Sequence, residues 1–163
     1  MLVFHDSMIH TWWEVHGYND SHFGRTVGNR FQYGGGRAKL MAAMDALYGG
    51  MPFVFPFGAQ YGWKNQRSKE TYLYRMRLED PETQYALKLA KPVAKLHQEI
   101  GMLEMTDFEF ISADGYVQKT CYEDGTEVYA NFGPGNSQQI DGIGELAPES
   151  WVVVKTGKAI LTR

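Results

Sequence analysis

The chain has a single cysteine, no long apolar run and no basic cluster, and each absence removes a class of protein. With Cys121 alone, no internal disulfide can form. A lone cysteine leaves the redox compartment open. No stretch approaches the roughly 20 apolar residues that a membrane-spanning helix needs, so no membrane partner is expected. Lys and Arg number 16 against 19 Asp and Glu, for a net charge of −3, and they do not cluster. Nucleic acid is therefore excluded as a first partner. The six prolines are scattered, and there is no internal repeat or low-complexity tract. The opening Met1-Leu2-Val3-Phe4-His5-Asp6 lacks the basic region and the apolar core of a signal peptide. It reads instead as a strand with no lead-in, which predicts an upstream segment.

What is present is an ordinary globular composition, 44% hydrophobic and 21% charged over 163 residues, enough to bury a sizeable core. Leu2–Phe4 reads as a short buried strand. Met8–His22 is a long loop dense in aromatic and polar residues. After Gly34-Gly35-Gly36, the spacing of Leu40, Met41, Met44, Leu47 and Tyr48 predicts a helix over Arg37–Tyr48, stopped by Gly49-Gly50. Met51–Phe55 reads as a second buried strand, followed by another aromatic loop with Tyr61 and Trp63. Tyr72–Leu78 is read as helical. Asp80-Pro81 marks a further helix start, with Tyr85, Leu89, Val93, Leu96 and Ile100 as its apolar stripe, Pro92 inside and Gly101 at its end.

Beyond Met105 the pattern changes to short strands and turn residues. Phe108–Ile111 and Tyr116–Tyr122 flank Ala113-Asp114-Gly115. Asp124-Gly125 leads into Glu127–Phe132, and Ser137–Ile140, Trp151–Lys155 and Lys158–Leu161 follow. The expected fold class is α/β plus all-β. Residues 1–105 would be the last β/α units of a (β/α)8-type barrel, and residues 106–163 a small antiparallel β-sandwich.

His5-Asp6 lies at the C-terminal end of a predicted parallel strand, where barrel enzymes carry their working residues. Such a carboxylate can orient a substrate hydroxyl or stabilise positive charge at a reacting carbon. The alternative is a polar strand exit with Asp6 capping the next loop. Val3-Phe4-His5-Asp6 resembles the strand-seven His-Asp signature of α-amylase-type barrels, which include the endo-α-N-acetylgalactosaminidase-like glycosidases. The order of the rest is similar to their C-terminal ends: an aromatic loop, a helix, a Gly-Gly-Met-Pro strand, a long last helix and a β-sandwich. Tyr122–Asn131, with Asp124-Gly125-Thr126-Glu127-Val128, is similar to their "DGTEV…NF" hairpin. Leu146-Ala147-Pro148-Glu149-Ser150-Trp151-Val152 is similar to their closing "LPP-x-G-aromatic" strand.

The resemblance implies a glycoside hydrolase whose nucleophile and acid/base come from strands upstream of this chain. Only the His-Asp pair carries over, onto His5 and Asp6, as substrate-orienting or charge-stabilising residues. Asp6 can face a second carboxylate such as Glu14, since retaining glycosidases need two about 5–5.5 Å apart. Trp12, Trp13, Tyr18, Tyr61 and Trp63 follow strand ends and can stack on sugar rings as a subsite. They can equally cover a barrel end as packing.

His5, His10, His16 and His22 lie near Glu14 and Asp20, yet there is no His-Glu-x-x-His and no cysteine pair, so no metal and no cofactor are expected. Gly34-Gly35-Gly36-Arg37 lacks the order of a phosphate loop. Cys121 reads as structural. Three functions stand: the C-terminal region of a glycosidase, a non-catalytic carbohydrate-binding or accessory module, and an assembly-dependent fragment. A carbohydrate is the expected ligand. A homo-oligomer or an upstream barrel segment would complete the open sheet.

Overall fold

A computed structural model describes residues 37–52, 78–79, 81–155 and 158–162. Two helices, α1 (Arg37–Leu47) and α2 (Pro81–Ile100), precede seven strands: β1 (Met105–Phe110), β2 (Val117–Tyr122), β3 (Thr126–Asn131), β4 (Gln138–Ile140), β5 (Gly144–Leu146), β6 (Ser150–Lys155) and β7 (Lys158–Thr162). Five strands form an open antiparallel sheet in the order β1-β2-β3-β6-β7, and β4 and β5 make a separate two-stranded ribbon.

Both helices start and stop where the sequence places them. Proline opens α2, since its missing N–H is not needed in a first helical turn. Gly101 closes α2 for a steric reason as well. A Cβ there would stand 2.5 Å from His97 Cε1 and 2.6 Å from the His97 carbonyl oxygen.

The main core lies between the helices and one face of the sheet. It joins Ala42, Ala43, Ala46 and Leu47 of α1 to Ala86, Val93, Leu96 and Ile100 of α2, and to Tyr122, Val128, Trp151 and Val153 of the sheet. α1 touches α2 on one side and β2, β3 and β6 on another. Its alanines are what allow that close approach from two sides, so the buried surface of α1 is wider than the stripe read from its larger residues. A smaller core on the other sheet face holds Val117 and Val152 against Ile140 and Leu146 of the ribbon.

Several expectations need adjusting. Among the described residues every strand pairing is antiparallel and the sheet is not closed, so no barrel unit is shown. The expected strand at Met51–Phe55 is not formed at Met51 and Pro52, and the rest of it lies outside the described residues. So do the first strand, both aromatic loops and the predicted helix up to residue 77; Leu78 sits in a turn. Tyr85 is 37% exposed rather than part of the core stripe, because Ala86 and Ala90 turn α2 so that their side faces in. The antiparallel β expectation appears as a five-stranded sheet plus a ribbon, with β5 an additional short strand.

Candidate functional site

The C-terminal end of α1 is held by contacts from both the sheet and α2. Gly49 adopts φ +64°, a left-handed conformation that glycine takes without steric cost. Gly50 N–H donates to the Asp45 carbonyl at 2.8 Å and Gly49 N–H to the Ala46 carbonyl at 3.4 Å. That pair of bonds is a Schellman cap. The next carbonyl, Leu47, is served from the sheet: Thr120 Oγ1 donates to it at 2.6 Å and the Tyr122 hydroxyl at 3.0 Å. Gly49 then offers its own carbonyl to His97 Nδ1 of α2 at 2.8 Å, which requires that ring nitrogen to carry the proton. The neighbouring Tyr48 ring stacks on Phe108 with centroids 6.1 Å apart, and its hydroxyl donates to Gln118 Oε1 at 3.0 Å.

Three elements thus hold one helix end, and with it the start of the segment after Gly50. Burial pushes the Tyr122 phenol far above its ordinary value, so it remains a donor throughout the neutral range. A further link joins sheet to helix: Lys155 of β6 lies 3.1 Å from Asp124 and 3.9 Å from Glu99 of α2.

A second polar cluster occupies the sheet face away from the helices. Lys119 pairs with Glu109 at 2.9 Å and lies 6.0 Å from the Tyr129 ring centroid. The Tyr129 hydroxyl donates to Glu127 Oε2 at 3.0 Å. Burial and then the Glu127 carboxylate push the Tyr129 phenol up to about 12. Burial likewise raises the Cys121 thiol, with the Glu127, Asp107 and Glu109 charges adding to the effect. A thiol held protonated is no activated nucleophile, in line with its structural reading. The polar groups of the cluster are partnered with one another. No group of three or more His, Cys, Asp and Glu among the described residues can hold a metal.

Buried Asn131 organises the loop between β3 and β4. Its amide donates to the Asn136 carbonyl at 3.0 Å and the Leu146 carbonyl at 3.1 Å, while its Oδ1 accepts from Gly133 N–H at 2.9 Å. It fixes the ribbon beside β6, so the turn Ala147–Ser150 emerges over the two helices and encloses a cleft of about 450 Å³ with them.

The residues singled out for catalysis, Asp6, His5 and Glu14, and for sugar stacking, Trp12, Trp13, Tyr18, Tyr61 and Trp63, all lie outside the described residues. The structure therefore neither brings them together nor separates them. The clamp residues Thr120, Tyr122 and His97 carry no motif. Gly49-Gly50 marked the helix end, but nothing local marked what would hold it.

No protein-family model matches the sequence, and no curated protein matches it. Among solved structures there is similarity to an α-N-acetylgalactosaminidase, NagBb, from Bifidobacterium bifidum, in the form of a quadruple mutant. The identity is 25% over 56% of this chain, and the TM-score is 0.37. The match spans 12% of that enzyme's length.

Proposed function

We propose that the chain is the C-terminal region of a glycoside hydrolase, in which the sheet buttresses the last helices of a barrel whose main catalytic carboxylates lie upstream. One observation carries most of the weight: sheet and helices share a single core, and β2 directly caps the end of α1. A module that only tethers to sugars needs no such grip on a helix end. A buttress does, because the segment leaving Gly50 is the one that the sequence reading makes a barrel strand. Two of the segments that carry the family resemblance are also neighbours in space. Tyr122–Asn131 supplies β3 and Leu146–Val152 supplies the start of β6, and these pair with Ala130 opposite Trp151.

In this role His5 and Asp6 assist cleavage through an oxocarbenium-like transition state, and Glu14 is the partner carboxylate. Trp12, Trp13, Tyr18, Tyr61 and Trp63 shape a sugar subsite. The test is hydrolysis of aryl α- and β-glycosides by the chain alone and by a form extended upstream, each with an Asp6→Ala counterpart. Activity in the extended form that Asp6→Ala abolishes is the expected result. An extended form that folds and binds glycans, yet hydrolyses nothing, refutes the hydrolase assignment in favour of an accessory module.

A further inference from the structure

The cleft beneath the Ala147–Ser150 turn has the dimensions and chemistry of a small-ligand site. Its volume of about 450 Å³ falls within the roughly 300–1,000 Å³ of small-molecule pockets. Leu89, Pro92 and the edge of buried Trp151 make an apolar floor. Tyr85, Lys88 and Pro92 project from one side of α2, at spacings of three and four residues, and Lys39 faces them from the first turns of α1. Glu149 closes the rim from the turn.

Glu149 is the most telling of these. Its φ of +49° is the one positive value at a non-glycine position among the described residues. Pro148 before it and the positive φ at the third position fit a type II turn, which favours glycine there. Ser150 Oγ donates to the Ala147 carbonyl at 2.6 Å and fixes the turn. A glutamate in the left-handed region costs about 1 kcal/mol or more, and such strain concentrates at ligand sites. The charges at the cleft are also unspent. The ion pairs among the described residues are Lys119–Glu109, Lys155–Glu99 and Lys155–Asp124, and none involves Lys39, Lys88 or Glu149.

We propose that this cleft binds a monosaccharide-sized acidic sugar, with a carboxylate or a phosphate as its acid group. Lys39 and Lys88 hold the acid group, and the Glu149 carboxylate accepts hydrogen bonds from ring hydroxyls. The exposed Tyr85 ring and the floor of Leu89, Pro92 and Trp151 cover the C–H faces of the sugar. Two cations against one anion favour an acidic over a neutral sugar. The site does not depend on the glycosidase assignment, since every residue in it belongs to the two helices, the β5–β6 turn or the start of β6.

The experiment is a ligand-observed NMR titration of the full chain with glucuronate, glucose 6-phosphate and neutral glucose. Saturable binding of an acidic sugar is expected, with a dissociation constant on the order of 1 mM for a ligand of this size. Glucose should bind more weakly, and the tighter of the two acids identifies the charged group. Lys88→Glu should weaken binding about tenfold or more. Lys95→Glu, the same charge change on an exposed α2 position outside the cleft, should leave it unchanged. Glu149→Gly should raise the melting temperature by about 2–4 °C while weakening sugar binding. The proposal is overturned if no acidic sugar saturates at roughly ten times the expected constant, or if glucose binds equally well. It is also overturned if Lys88→Glu and Lys95→Glu behave alike, or if affinity survives Glu149→Gly.

Discussion

The double hydroxyl cap on the Leu47 carbonyl permits a quantitative test of how sheet and helix are joined. Leu47 and Thr120 are fully buried and Tyr122 nearly so, so water cannot easily replace a lost donor. Tyr122→Phe keeps the ring and removes the hydroxyl's bond to the Leu47 carbonyl, while Thr120 still serves that carbonyl. The expected cost is about 1 kcal/mol, or roughly 2–4 °C in melting temperature for a chain of this size. Thr120→Val alone should cost about the same.

The double variant differs in kind. It leaves a buried carbonyl without either hydroxyl donor and adds a desolvation penalty of roughly 1–3 kcal/mol to the two single losses. The total should therefore be about 3–5 kcal/mol, with a coupling energy well beyond the ~0.5 kcal/mol within which independent sites add. Urea unfolding of the four proteins, with midpoint and slope fitted separately, measures the coupling. Additive losses would refute the shared cap. They would mean that each hydroxyl contributes through its own surroundings and that the Leu47 carbonyl is satisfied without them.

Two further outcomes follow from local geometry and charge. Gly101→Ala should destabilise the chain even though restricting a flexible glycine would by itself stabilise it, because the new Cβ meets the His97 ring and backbone oxygen at 2.5 and 2.6 Å. A melting temperature at or above that of the parent would show that the His97 contact to Gly49 is dispensable. The Tyr129 phenol is pushed up to about 12 in the folded chain, above its unfolded value of about 10. Its contribution to stability is therefore full below about pH 10 and is lost as pH rises through about 12. Tyr129→Phe should lose less stability than the parent across that interval, measured as the urea midpoint against pH; identical alkaline limbs would contradict the assignment.

Much of the fold was legible because it is written in short-range chemistry. Asp80-Pro81 and Gly49-Gly50 fix helix ends through φ preferences and missing or spare N–H groups, and α1 and α2 begin and end there to within a residue or two. Asp124-Gly125 places the β2–β3 hairpin for the same kind of reason, with Thr126 N–H donating to Asp124 Oδ1 at 2.9 Å. Ribbon strand β5 was not legible, because Gly144-Glu145-Leu146 is too short to show an alternation. The exposure of Tyr85 was missed because period alone cannot tell which of two adjacent helical stripes meets a partner. The candidate site was less accessible still. Glu149 stands at the unspecified position of the closing-strand motif, and its left-handed backbone shows only in the structure.

Local signals alone were enough to place the two helices and the hairpin neighbours, to exclude an internal disulfide, and to separate an aromatic-rich first part from a β-rich second. These follow from residue-by-residue backbone preferences and from counts. The long-range arrangement came from packing: β6 returns beside β3, the ribbon stands apart, and Thr120 and Tyr122 reach Leu47 across 73 and 75 positions of chain. Such contacts depend on how buried surfaces fit once the elements exist, and no local pattern encodes which distant hydroxyl will meet which carbonyl.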